Sequence, residues 1–282
     1  MSVVLNGSSQ YLYTATVPVA APALTLAAWF KSTSDAISQT IACIGDHDTS
    51  NLHVGNMAAM GSVAGDPIQA QTRSAAANGW ANTSSGFDAN VWTHACCVFA
   101  ATNSRSAYIN GGSGNTTTTD VATITADELS VGVKTRDIPQ AYFSGRLAHL
   151  AVWNVALSEV NVAALAAGAD PSGVDADHLV AYWPLYNDAN DDKGTNHLTA
   201  VGSPTWDEAD NPDVGGVEYV EAAITIAGTS TTTIAAEVLE YVSAALTIAG
   251  TSSTTIGATA SVRSTSSPFR LIAIGDGEVW YS

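Results

Sequence analysis

The chain has 282 residues with 26 Asp and Glu against 9 Lys and Arg, a net charge of −17, yet only 12% of it is charged and 46% is hydrophobic. That balance excludes ordinary intrinsic disorder, which pairs high net charge with few apolar residues. Nine scattered basic residues also exclude a nucleic-acid binder and disfavour binding to an anionic membrane surface.

The apolar material is small. Forty-eight residues are Ala and 21 are Phe, Tyr or Trp, and the Thr, Ser and Gly beside the Ala favour closely packed β layers over Ala-rich helices. The opening Met1-Ser2-Val3-Val4-Leu5-Asn6-Gly7 has no basic stretch and no apolar run, so no secretory signal is expected. No run of 18 apolar residues reads as a membrane-spanning helix, and a soluble protein is expected. Cys43, Cys96 and Cys97 are odd in number and lack CxxC spacing, so they read as buried thiols and not as a disulfide framework.

From Val3 to about Thr205 short strands alternate with Gly, Asn, Asp, Ser and Pro clusters, the pattern of an all-β sandwich. The clearest strands are Leu24 to Lys31, Gln39 to Ile44, Val91 to Ala100, Ser106 to Asn110 and Leu147 to Trp153. Tyr108-Ile109-Asn110-Gly111 is a strand running into an Asn-Gly turn, the strongest short hairpin signal. One helix is expected: Ser158 as N-cap, Glu159 in the first turn, an Ala-rich body from Val160 to Ala167, and Gly168 closing it in a left-handed conformation.

Asp210 to Gly216 has a linker's composition, so domains are expected at 1–209 and 218–282 with a linker at 210–217. In the second, residues 218–236 match 240–258 at an offset of 22 with four differing pairs. Each unit reads as a β-hairpin turning at Gly-Thr-Ser, and the two need a partner surface to bury their apolar face. Phe269 to Tyr281 reads as a terminal hairpin around Gly275-Asp276-Gly277. The expected fold is therefore an all-β, antiparallel two-sheet jelly roll with one short helix, followed by a small β-rich C-terminal region.

The order of signals in the first 205 residues resembles the laminin-G-like, concanavalin A-like jelly-roll family. The resemblance is carried by Leu5-Asn6-Gly7 with Tyr11, the strand Leu24 to Lys31, Val91-Trp92-Thr93-His94 leading to Ala107-Tyr108-Ile109-Asn110-Gly111, Leu129-Ser130-Val131-Gly132, Phe143-Ser144-Gly145-Arg146-Leu147, Trp153-Asn154, and the helix after Leu157-Ser158-Glu159. It implies two antiparallel sheets packed face to face, with Trp29 and Trp153 in the layer between them.

Some members of that family hydrolyse polysaccharides with two carboxylates at alternating positions of one strand, where they share a face over the sugar. The eight Glu include no pair two apart, and there is no GxSxG motif, so a non-enzyme is expected. His94 and His149 read as core or rim histidines.

Ten acidic residues against one Lys lie between Asp170 and Asp213. Within them Asp188, Asn190 and Asp192 alternate as in a calcium loop, where oxygens two apart converge on one hard cation, although the Gly falls a place late and Thr199 stands where a closing Glu would be. The alternative is a polar turn. Asp46-His47-Asp48 is a second, weaker metal candidate. For sugar binding the best candidate is Trp80 with Asn78 and Asn82, near Phe87, in a loop-like segment; the alternative is a Trp plugging the sandwich end.

A recognition domain without an export signal points to a virion protein released by lysis. The leading expectation is a non-catalytic bacteriophage structural protein, a capsid decoration or tail-fibre component located in the virion. Its partners would be other virion subunits or itself, as a trimer built through the C-terminal repeat. The alternative is an extracellular, glycan-binding bacterial adhesin, calcium-dependent if the loop holds metal; a calcium-stabilised enzyme domain ranks third because the carboxylate pair is missing.

Overall fold

A computed structural model of the chain describes residues 2–49, 51–112, 114, 116–207, 209–212 and 214, together with six later strand segments. The chain divides into two compact units, Met1–Gly215 and Gly216–Ser282.

The first unit is a sandwich of two sheets. Its strands in chain order are β1 (Ser2–Asn6), β2 (Tyr11–Thr14), β3 (Leu24–Ser32), β4 (Ser38–Asp46), β5 (Leu52–Met60), β6 (Pro67–Arg73), β7 (Asn78–Gly86), β8 (Thr93–Ala101), β9 (Ser104–Ile109), β10 (Thr116–Thr117), β11 (Glu128–Val131), β12 (Ser144–Trp153), β13 (Leu179–Trp183), β14 (Thr199–Val201) and β15 (Thr205–Asp207). One sheet runs β10-β9-β8-β3-β12-β1-β15 with β13 also on β12, and the other runs β14-β2-β11-β4-β5-β6-β7. Every pairing in the two is antiparallel.

Strand alternation builds the core. Leu24, Leu26, Ala28 and Phe30 of β3 point between the sheets, where they meet Ile41, Ile44, Met57, Phe99, Phe143 and Trp183. Intervening residues point the other way, so Trp29 lies outside that layer, edge to face with the His94 ring at 5.4 Å. Trp153 is fully buried, but in a second cluster on the far side of the eight-stranded sheet, with Cys96, Leu157, Val162 and Leu165. Both tryptophans expected between the sheets therefore face away from it. A strand's two faces differ by one residue of register, and Trp183 occupies the inner position instead.

The second cluster is roofed by α1 (Glu159–Ala166), whose N-cap Ser158 accepts the Asn161 amide and whose end turns through Gly168 at φ +91°. The Asn110-Gly111 turn has positive φ at both residues, +48° and +71°, as a tight hairpin requires. Gly145 is needed for room: a Cβ there would lie 2.1 Å from the Lys31 carbonyl oxygen. The three cysteines are free and fully buried.

Asp210, read from composition as linker, is held by the sandwich. Its carboxylate accepts from Lys31 Nζ at 2.9 Å and Trp92 Nε1 at 2.8 Å and pairs with Arg146 at 3.2 Å.

In the second unit the described strands are β16 (Ile224–Ala227), β17 (Ile234–Val238), β18 (Leu246–Ala249), β19 (Ile256–Ala260), β20 (Ala273–Gly275) and β21 (Glu278–Trp280). The expected hairpins within each unit of the repeat are not the pairing seen. β16 pairs in parallel with β18, Ile224 opposite Leu246, and β17 in parallel with β19, Ile234 opposite Ile256. Stacking like on like gives the parallel register a matched row of residues. β20 and β21 do form an antiparallel pair, as the terminal hairpin expectation has it. The Gly-Thr-Ser turns and the proposed trimer contacts lie outside the described residues.

Candidate functional site

The registers fix which side chains share the outer face of the seven-stranded sheet. One row crosses all seven strands: Thr199, Tyr13, Ser130, Cys43, Asn56, Gln71 and Trp80. The next row holds Glu128, Gly45, His53, Arg73 and Asn78, and Asn82 lies opposite Gln69 on the other side. An outer face rich in amides is the natural partner of an inner face made of Ile41, Ile44, Met57, Ile68 and Ala70.

The amides are tied to one another. Gln71 Nε2 donates to Asn78 Oδ1 at 3.1 Å, and Gln69 Nε2 donates to Asn82 Oδ1 at 2.9 Å. Gln71 Oε1 in turn accepts from His53 Nε2 at 3.1 Å, Asn56 Nδ2 at 3.4 Å and Lys134 Nζ at 3.4 Å. Burial, reinforced by the nearby Lys134 charge, holds the His53 imidazole down to about 3, so it is neutral at physiological pH and one ring nitrogen donates to Gln71. The Lys134 ammonium is itself shifted down by burial.

Trp80 stands at the edge of this network. It lies on β7, the terminal strand of the sheet, between Asn78 and Asn82 on the same face, and is 50% exposed. The expected loop is thus an edge strand, and Trp80 is not a plug. Phe87 does not join it: Phe87 is buried in the core, edge to face with Phe30 at 5.3 Å. Asn78 and Asn82, with their side-chain oxygens held by Gln71 and Gln69, thus flank the half-exposed Trp80 with amide N–H groups that those two bonds leave uncommitted. That arrangement offers a stacking surface flanked by positioned donors, the requirement for holding a sugar ring.

The middle of the face is covered. The stretch after β11 folds across it, with Thr135 Oγ1 bonded to Ser130 and donating to the Cys43 carbonyl at 3.2 Å. Beneath this cover burial pushes the Cys43 thiol up to about 11, which leaves it unreactive.

The acidic loop after β13 is organised differently from the calcium pattern. Asp191, between the alternating positions, is buried and accepts from the Tyr182, Lys193 and Asn196 amides and from Asn196 Nδ2 at 2.9 to 3.0 Å. The Asp188 carboxylate is occupied by the Asn190 backbone and side-chain amides. The carboxylates of Asp188 and Asp191 are thus engaged by the loop's own amides, the bonding expected of a polar turn. Asp46 likewise accepts the Asp48 and Thr49 amides in a turn. Among the described residues no three His, Cys, Asp or Glu are grouped to hold a metal, and no helix is long and apolar enough to cross a membrane.

A family model of the concanavalin A-like lectin/glucanases superfamily matches residues 6–163, more than half of the chain. The chain belongs to that superfamily. Among solved structures it is similar to the heptameric SAP-like pentraxin of Limulus polyphemus, with 16% identity over 74% of this chain and 97% of that one and a TM-score of 0.52. It is also similar to the CBM40 of Ruminococcus gnavus IT-sialidase bound to α2,3-sialyllactose, with 14% identity over 58% of this chain and 96% of that one and a TM-score of 0.50. At such identities these likenesses establish the lectin-type sandwich alone. No curated protein matches the chain.

Gln69, Gln71, Arg73 and Lys134 were not anticipated as part of this face. The alternation in Ile68-Gln69-Ala70-Gln71-Thr72-Arg73 announces a strand with one polar face; that it lies beside Trp80 is a matter of sheet order.

Proposed function

We propose that the chain is a non-catalytic, lectin-like module that binds a glycan on the outer face of its seven-stranded sheet, at Trp80, Asn78 and Asn82. The observation that carries the reading is the half-exposed indole set between two asparagines whose carbonyls are locked by Gln69 and Gln71. Preorganised donors lose little entropy on binding, and a bare indole face gains by covering itself with the apolar side of a sugar. The similar sandwich of the R. gnavus CBM40, bound to α2,3-sialyllactose, supports the class of ligand. An extracellular setting follows from a glycan partner.

The virion placement and trimeric assembly draw no support from the comparisons, and the adhesin alternative is the better backed of the two. A glycan array probed with the wild-type chain and with Trp80→Ala tests the reading. Binding to a defined set of glycans, lost in the variant, is expected; binding that persists undiminished in Trp80→Ala would place the site elsewhere.

A further inference from the structure

With 9 basic side chains against 26 acidic ones, a basic group that goes without an acidic partner stands out. Lys31 and Arg146 pair with Asp210 and Asp207, and Arg136 pairs with Asp137. Lys193 donates to the Ala176 carbonyl, and the buried Arg105 to those of Thr102 and Thr119. Arg73 and Lys134 differ. Among the described residues neither forms an ion pair, the Arg73 guanidinium makes no hydrogen bond, and the Lys134 ammonium makes one, at 3.4 Å to Gln71 Oε1, an oxygen it shares with His53 and Asn56. Both stand beside Trp80. Arg73 is the cross-strand partner of Asn78 on the outer face and so lies diagonal to Trp80, a spacing of about 7–8 Å that long side chains span. Lys134 reaches over the face to the same Gln71 side chain that holds Asn78. Burial first, and then the Lys134 and Arg73 charges, hold the His53 imidazole down, and after burial the Arg73 charge lowers the Lys134 ammonium as well, so the two cations share one electrostatic neighbourhood.

Like charges held near one another with no anion to offset them repel, and a ligand that brings the anion relieves the repulsion as it binds. We infer that the glycan taken at Trp80 is acidic, with Arg73 and Lys134 receiving its carboxylate or sulfate ester while the sugar ring lies on the indole. A neutral sugar would leave both cations as they are; an acidic one gives them charge-assisted hydrogen bonds, bidentate at the guanidinium. The net charge of −17 does not forbid this, because at physiological ionic strength charges more than about 8 Å away are largely screened and the groups at the site decide. The inference rests on the glycan reading above. Trp80 and its asparagines supply the sugar site, and the two cations supply the sign of its ligand.

The test presents the full chain with glycans carrying a uronic acid, a sialic acid or a sulfate ester, each beside its neutral counterpart, the carboxyl-reduced, desialylated or desulfated form. The readout is the ratio of acidic to neutral affinity, which a merely structural role would not move. A ratio of at least about ten, falling toward one in Arg73→Gln and in Lys134→Gln, is expected from the loss of a charge-assisted hydrogen bond. The carboxylate and sulfate arms show which anion is taken. Lys193→Gln, which removes a positive charge on the loop after β13, should leave the ratio unchanged and so separates local recognition from net charge. Neutral glycans bound as tightly as acidic ones, with both lost in Trp80→Ala, would overturn the acidic ligand and leave the glycan reading standing. No binding to any glycan, or binding indifferent to Trp80→Ala, would overturn both. An acidic preference retained in either cation variant would overturn the part given to that residue, and if melting shows one variant to be unfolded, the other decides.

Discussion

Among the described residues Asp191 accepts four hydrogen bonds, one of them from the Tyr182 amide of strand β13, while nearby Asp188 accepts from Asn190 alone. Removing Asp191 leaves buried N–H groups without an acceptor, so Asp191→Ala should cost about 2–4 kcal/mol and Asp188→Ala no more than about 0.5 kcal/mol in urea unfolding. Equal costs would contradict this account of the loop. Because the same oxygens hold the protein's own amides, melting midpoints in calcium and in chelator should coincide; a calcium-dependent rise would restore the metal reading through mass action. The alternation Asp-x-Asn-x-Asp was legible in the sequence, but oxygens two apart can converge on a cation or on backbone amides with equal ease. The bond that the fold gives Asp191 to the Tyr182 amide of β13 is not legible in that spacing. The exposure of Trp80 was legible for a simpler reason: a Trp in a segment of Gly, Asn and Ser has few large apolar neighbours to hide it.

Strands carried the most information at the level of elements. Apolar runs and turn residues located β3, β4, β8, β9 and β12 to within a few positions, and the N-cap Ser158 located α1. Which face of a strand looks inward was less legible, since LTLAAWFK contains apolar residues on both sides and the second cluster under α1 needs them. Trp29 was misplaced for this reason. The assignment has a consequence: Trp183→Ala, in the inter-sheet layer, should cost about 3–5 kcal/mol, whereas Trp29→Ala on the outer side should cost well under half of that. Comparable costs would mean that the faces are exchanged. The repeat was legible as a repeat and not as a pairing. A strand followed by a turn and another strand looks like a hairpin locally, and the parallel register joining residues 224 and 246 depends on a second copy of the sequence being present.

For the whole molecule, acid is the condition under which the sandwich should fail first. Burial lowers the imidazoles of His53 and His94 to about 3 and that of His149 to about 4. Above the ordinary histidine range neither the folded nor the unfolded chain holds these protons. Below it the unfolded chain takes them up and the folded chain does not, so stability falls with falling pH at about 1.4 kcal/mol per pH unit for each histidine. Glu128, whose carboxyl is raised, and His178, raised by its hydrogen bond to Asp175, act in the opposite sense. The melting midpoint should therefore drop steeply between about pH 6 and pH 4. A flat profile there would mean that the histidines are accessible.

Family membership accounts for the sandwich, and the likeness to other lectin-type structures extends over most of the first unit. It leaves open which of the two outer faces is used, because fold and function are separable. The proposed site is the β7 edge of the seven-stranded sheet, where the amide network lies. The most direct measurement is NMR titration of the chain with a glycan captured on the array, following the indole N–H of Trp80 and the side-chain amides of Asn78 and Asn82. Saturable shifts at those three residues, absent from the eight-stranded sheet, are predicted. Shifts confined to the eight-stranded sheet or to the second unit, with Trp80 unmoved, would contradict the account.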